Sequence, residues 1–227
     1  MEWIQQFTFF LFDLDGLLVN TENIHFRAYK KMCKDRGFDL LWDLTKYYSI
    51  AQQDADAVKK ALYQEFPELE TRGPRWEVLY KEKKEAFLHI AATEEIPLLP
   101  GAKELLLALE SAGIKRCVVT HSPLALVEVL REQNPLLHTI PHWFTREDYK
   151  NPKPAPDGYE IAIHTLAKED DRIIGFEDSD RGMRALMQTR AFPILVNPLD
   201  ASTRKKYREL GCLTFSSLEE IIDLSRK

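Results

Sequence analysis

Cysteine is scarce in this chain, and long apolar runs and an excess of positive charge are lacking; each removes a class of protein. Cysteine occurs only at 33, 117 and 212. An odd, scattered set of three builds neither a disulfide framework nor a zinc cluster, so reduced, buried thiols in a cytoplasmic protein are expected. The longest apolar stretch, Phe7 to Val19, is interrupted by Asp13 and Asp15, well short of the ~20 apolar residues that a membrane span needs. Met1-Glu2-Trp3 carries no basic segment of the kind that opens a secretory signal. Lys and Arg number 31 against 36 Asp and Glu, a net charge of −5. That balance argues against backbone-driven nucleic-acid binding while leaving room for a local basic pocket that takes a small anion. Neither a nucleic acid nor a membrane is therefore an expected partner. The remainder, 44% hydrophobic and 30% charged over 227 residues, excludes disordered and collagen-like chains and allows one large domain, or a core with a small insert.

Two textures alternate along the chain. Residues 7–13, Phe-Thr-Phe-Phe-Leu-Phe-Asp, form a continuous apolar run ending in an acid, as in a central strand buried on both faces. Residues 114–120, 172–177 and 192–196 repeat the pattern, and 142–145 is a weaker, shorter instance. Between them lie helical patterns. Ala102, Leu105, Leu106 and Leu109 share one face, and Gly113 is the stop signal. Ser122-Pro123 reads as an N-cap followed by proline at the first helical position. Ser179 reads as the cap of a helix that buries Met183, Leu186 and Met187, and Ser217-Leu218-Glu219-Glu220 has the form of a capping box. Strands and helices in alternation predict an α/β fold with a doubly wound, parallel, Rossmann-like sheet. Residues 20–95 contain no convincing strand. Ala51, Ala55, Val58 and Leu62 fall at helical spacing, as do Trp76, Leu79, Tyr80 and Phe87, with a turn-rich stretch at Phe66–Pro74. The expectation is a helical insert of three or four helices at 20–95 within a core made of 1–19 and 96–227.

The chemistry is expected where strands end, because ligands of open α/β sheets bind at the carboxyl ends of the strands. Asp13-Leu14-Asp15-Gly16 closes the first strand, with two carboxylates two residues apart and a glycine that frees the backbone. Glu177-Asp178 closes the strand at 172–177. Were these strands neighbours, up to four carboxylates would converge, an arrangement that like-charge repulsion makes unstable without a cation. A hard cation such as Mg²⁺ takes oxygen ligands and bridges carboxylates to phosphate, and no His/Cys set suits zinc. Thr120-His121-Ser122 ends the second core strand and offers a hydroxyl and backbone N–H groups. Asn151-Pro152-Lys153-Pro154-Ala155-Pro156-Asp157 holds one lysine in a stretch stiffened by three prolines, as a charge partner for the acids.

These segments, in this order, resemble the four motifs of the haloacid dehalogenase-like hydrolase superfamily over nearly the whole chain. The helical insert resembles the C1 cap of its β-phosphoglucomutase-like and phosphoglycolate-phosphatase-like branch. The resemblance implies that Asp13 is the nucleophile forming an aspartyl-phosphate, and that Asp15 is the general acid and then the general base. It further implies that Thr120 bonds the transferring phosphoryl group, with Gly16, His121 and His25 among the substrate contacts, and that Lys153 neutralises the nucleophile and a phosphoryl oxygen. Mg²⁺ would be held by Asp13, the backbone carbonyl of Leu14 and Asp178, with Glu177 and Asp15 in the same acidic set.

The presence of Asp15 favours phosphoryl transfer over carbon–halogen cleavage. Lysines at 30, 31, 46, 59, 60, 81, 83 and 84 read as solvated faces, not as the Schiff-base lysine of phosphonate-cleaving relatives. Segment Tyr47–Ala57 has neither arginine nor glycine where sugar-phosphate mutases of the branch grip a distal phosphate, and Arg72 and Arg75 are the nearest substitutes. The expected function is a Mg²⁺-dependent, monomeric phosphatase of a small phosphorylated metabolite with a helical lid. Its alternatives are a sugar-phosphate mutase and a phosphate-sensing or phospho-accepting module without turnover.

Overall fold

The computed structural model describes residues 1–51 and 56–224, of which 223 and 224 by backbone alone. Ala55 of the predicted helical spacing lies outside the described residues. The chain forms two compact units, Met1–Asn20 with Ile96–Lys227, and Thr21–Glu95.

The first unit is built on a six-stranded parallel sheet: β1 (Phe9–Phe12), β2 (Lys115–Val119), β3 (His142–Phe144), β4 (Ile173–Glu177), β5 (Phe192–Val196) and β6 (Leu213–Phe215). The order is β3-β2-β1-β4-β5-β6, the doubly wound α/β arrangement expected from the alternating pattern. Every side chain of β1 is buried, so this strand is stable only between neighbours and covered on both faces. Alternation assigns Phe9 and Leu11 to one core with Cys117, Val119, Tyr159, Ile173 and Leu186. Phe10 and Phe12 stack on Phe176, with ring centroids 6.0 and 5.2 Å apart. Strand β6 has no counterpart among the predicted strands, because three half-exposed residues make no apolar run.

The second unit is all-helical: α1 (Glu22–Asp35), α2 (Leu44–Ala51), α3 (Ala57–Glu65), α4 (Pro67–Thr71) and α5 (Trp76–Thr93). Its core gathers Phe26, Tyr29, Met32, Trp42, Tyr47, Leu62 and Leu79. The stretch predicted as turns holds the short helix α4, with Pro67 pre-set for the first position.

The remaining helices are α6 (Ala102–Ser111), α7 (Leu124–Gln133), α8 (Asp157–Leu166), α9 (Asp180–Leu186), α10 (Ala201–Glu209) and α11 (Leu218–Leu224). After α6 the chain turns at Gly113, φ +63°, whose N–H bonds Glu110 while the next bonds Leu109. At α9, Ser179 Oγ accepts from Gly182 N–H at 3.2 Å, so it caps the helix as predicted. Met183 and Leu186 are buried, but Met187 lies past the last turn and is exposed. At α11 the box is shifted by one residue on its return arm: Glu220 N–H bonds Ser217 Oγ, while the Glu220 carboxylate accepts from Ser216 N–H. Helix α7 departs from its prediction. It starts at Leu124, whose N–H is capped by Glu147 Oε2 at 3.1 Å, and the Ser122 hydroxyl is engaged elsewhere.

Candidate active site

Strand β1 delivers Asp13 to the carboxyl edge of the sheet in register with β4, since Asp13 N–H still bonds Phe176 C=O at 3.0 Å. The chain then turns back sharply. The carbonyl of Leu14 accepts from the N–H groups of Leu17, Leu18 and Val19 at 3.4, 2.9 and 3.1 Å. The group expected as a metal ligand thus serves as the acceptor that closes this turn. Gly16 sits at φ +78°, and a Cβ there would lie 2.3 Å from Asp178 Oδ2. Glycine thus meets two demands at once, the left-handed backbone and the close approach of the β4 loop. Its N–H donates to Val19 C=O at 3.0 Å, which gives it a structural role within the turn.

Asp13, Glu177 and Asp178 are all buried, and each offers a carboxylate oxygen within 4.8 Å of the others. Lys153, 8% exposed, reaches into the group from the proline-stiffened loop. Its Nζ donates to Asp13 Oδ1, to Glu177 Oε1 at 2.6 Å and to Val119 C=O at 3.0 Å. That loop is closed by Asp157, whose Oδ2 accepts from Asn151 N–H and Nδ2 at 3.0 and 2.9 Å. Tyr159, on α8, donates its hydroxyl to Glu177 Oε1 and lays its ring 4.9 Å from Lys153 Nζ. Glu177 is also fixed from behind: its Oε2 accepts from Asp178 N–H, and Gly182 has no Cβ to collide with it.

Burial pushes the Asp13 carboxyl up to about 7; Lys153 opposes the rise, while Glu177 and Asp15 add to it. Burial disfavours the charged form of Lys153, but the Asp13 and Glu177 carboxylates more than offset this and hold the ammonium above its ordinary range. Three clustered carboxylates against one bonded lysine leave the group short of positive charge. An all-oxygen donor set with a charge deficit fits a hard divalent cation and does not suit zinc.

On the other side of β1, the loop after β2 supplies hydroxyls. Thr120 is buried and donates to Asp15 Oδ2 at 3.1 Å; Ser122 donates to the same oxygen at 2.7 Å. Tyr149 fastens the loop from below by donating to Thr120 C=O at 2.8 Å. His121 lies between them, half-buried. Hydroxyl donors thus hold the Asp15 carboxylate, which stands outside the three-carboxylate group expected to include it.

His25 lies in the helical unit, on α1, with its ring 4.3 Å from that of Phe87 and its Nδ1 2.7 Å from Lys83 Nζ. Lys83 was expected on a solvated face but is 4% exposed. Its position on α5 places the ammonium among the rings of Tyr29, Tyr80 and Phe87, with Nζ 5.0, 5.8 and 5.2 Å from their centroids. Tyr149 and Tyr159 are thus residues that the sequence reading did not single out, while Ser122 was read as a helix cap and Lys83 as part of a solvated face. Tyr159 is among the buried residues of α8, and its partner Glu177 lies 18 residues away.

Among known proteins, CbbY of Cereibacter sphaeroides is 29% identical over 178 residues, covering 77% of each chain. The 2-deoxyglucose-6-phosphate phosphatase 2 of Saccharomyces cerevisiae is 30% identical over 200 residues, 77% of this chain and 74% of that one. The crystal structure of CbbY from Rhodobacter sphaeroides in complex with phosphate matches with a TM-score of 0.74 at 25% identity, covering 95% of this chain and 96% of that chain. The family profile described as haloacid dehalogenase-like hydrolase matches residues 10–191, a span that runs from β1 to the residue before β5 and takes in both units. By the extent of that match, this chain belongs to the haloacid dehalogenase-like hydrolases.

Proposed function

We propose that the protein is a Mg²⁺-dependent phosphatase of a small phosphorylated sugar, working through an aspartyl-phosphate on Asp13. The buried cluster Asp13/Glu177/Asp178 with Lys153 carries the reading. Family membership and the 2-deoxyglucose-6-phosphate phosphatase relative support it. Asp13, Glu177 and Asp178 would hold the cation, which screens the charge of the phosphoryl group when bound. Lys153 favours the ionised form of Asp13 and aligns it, and its fixed ammonium meets the oxygens on which the transition state spreads negative charge. Thr120 offers its hydroxyl, and His121 and the N–H groups of the β2 loop face the same phosphoryl group. Asp15 is assigned the proton to the leaving oxygen and, afterwards, the proton from water. The helical insert, with His25, is assigned the selection of the sugar.

The test is phosphate release from a panel of sugar phosphates, with Mg²⁺ and after EDTA treatment. Mg²⁺-dependent release from at least one hexose or pentose phosphate is expected, with loss of at least ~10³-fold in Asp13→Asn. Failure to release phosphate from any member of the panel removes the assignment. A bisphosphate requirement with net phosphate migration would move it to mutase chemistry, and a phospho-Asp13 that persists for hours to a module without turnover.

A further inference from the structure

We propose that Ser122 is a positioning residue that holds the general acid, Asp15, during phosphoryl transfer; the inference rests on the phosphatase reading and deepens it. The geometry is a closed triangle. Ser122 Oγ lies 2.7 Å from Asp15 Oδ2, Thr120 Oγ1 lies 3.1 Å from the same oxygen, and Ser122 N–H donates to Thr120 Oγ1 at 3.0 Å. Both hydroxyls are buried.

A hydroxyl carries one proton. The Ser122 N–H occupies an acceptor site of Thr120 and so directs the Thr120 proton outwards, towards Asp15 before substrate arrives. A phosphoryl group competes for that same proton. Once Thr120 turns to the phosphoryl oxygens, Ser122 is the hydroxyl of the pair left on Asp15. Its donation makes Oδ2 the acceptor oxygen in both protonation states of Asp15, which places the transferable proton on Oδ1. In the first step an Asp13 oxygen forms its bond to phosphorus as the ester P–O bond breaks, and the Oδ1 proton passes to the departing alkoxide. In the second, Asp15 takes a proton from the attacking water while the Asp13–phosphorus bond breaks, which restores both carboxyl groups. A carboxyl group whose plane is fixed delivers its proton along one line; a mis-set rotamer loses that alignment.

General-acid positioning matters in proportion to the basicity of the leaving group. An alkoxide from a sugar phosphate needs the proton, whereas nitrophenolate departs largely without it. The experiment compares kcat/KM for a sugar 6-phosphate and for p-nitrophenyl phosphate in wild type, Ser122→Ala and Ser122→Thr, all at saturating Mg²⁺. This parameter reports the steps through formation of phospho-Asp13. Inhibition by inorganic phosphate and the melting temperature are measured alongside. In Ser122→Ala the ratio of sugar phosphate to nitrophenyl phosphate is expected to fall about 10-fold or more, with the phosphate inhibition constant within about 3-fold of wild type; Ser122→Thr restores most of the ratio. An equal loss on both substrates, or a Ser122→Thr variant as poor as Ser122→Ala, overturns the inference and leaves the phosphatase reading standing. A wild type inert towards p-nitrophenyl phosphate and every sugar phosphate of the panel overturns the two together.

Discussion

Lys153 shows how a single residue sets the terms for its neighbours. Its ammonium is the cation bonded to both Asp13 and Glu177. Removing it leaves buried carboxylates facing one another, and an uncompensated buried charge is expensive. Lys153→Met is therefore expected to lower stability by about 2–4 kcal/mol in EDTA, a drop in Tm on the order of 10 °C. On the proposal that Asp13, Glu177 and Asp178 hold Mg²⁺, millimolar Mg²⁺ should raise the Tm of the variant by more than that of wild type; thermal melts with and without the metal check this. Gly16→Ala carries a different fault. It puts a Cβ at positive φ and 2.3 Å from Asp178 Oδ2, so the Asp178 carboxylate must move aside. Activity is expected to fall at least ~100-fold with only a modest loss of stability, of about 1–2 kcal/mol. Paired kcat and urea-unfolding measurements read the two effects separately. At this scale the sequence exposed the acids, Lys153 and Thr120, whose motifs are compact. It hid Tyr159 and the role of Ser122, because a hydroxyl's role is ambiguous until its partner, 18 or 107 residues away, is known.

Helix ends show the limits of reading elements locally. Ser122-Pro123 has the form of a helix start, yet Ser122 donates to Asp15 and Glu147 caps the helix from another loop. The cap needs an acceptor, which Glu147 Oε2 provides, while the one proton of Ser122 goes to the Asp15 carboxylate. Elsewhere the cap is local to its helix. Asp200 caps α10 by accepting from Ser202 N–H and Thr203 N–H at 2.9 and 3.1 Å. Burial would raise its pKa, but the Ser202 and Thr203 donors win and hold it below the ordinary 3.8. A carboxyl group with a depressed native pKa contributes fully above its unfolded value and loses that contribution as the pH falls below it. Asp200→Ala is expected to cost about 1 kcal/mol in urea melts at pH 7. The difference from wild type should shrink as the pH drops below ~4.

For the molecule as a whole, Asp171 ties together the amino ends of the central strands. It accepts from Thr8 ahead of β1 and from Lys115 on β2, and its Oδ2 also takes the N–H of Lys168, at 2.8, 2.7 and 2.8 Å. Burial opposes ionisation, but the Lys115, Lys168 and Thr8 donors prevail and bring its pKa down to about 2. The stabilisation is therefore complete above the unfolded value of ~4 and disappears between about pH 4 and pH 2. Asp171→Asn should lose about 1–2 kcal/mol at pH 7, with the deficit narrowing as the pH approaches 3; urea midpoints at pH 7, 4 and 3 follow it. Periodicity and breakers in the sequence were enough to determine a parallel α/β sheet, a helical stretch between its first strand and α6, and which strand ends carry acids, because each of these is written in neighbouring residues. Tertiary structure alone decided that the Leu14 carbonyl closes a turn, that Asp15 rests against two hydroxyls apart from the acidic cluster, and that Lys83 is buried among aromatic rings. Those outcomes depend on which distant groups compete for the same lone pair, proton or cavity, and that competition exists only once the chain has folded.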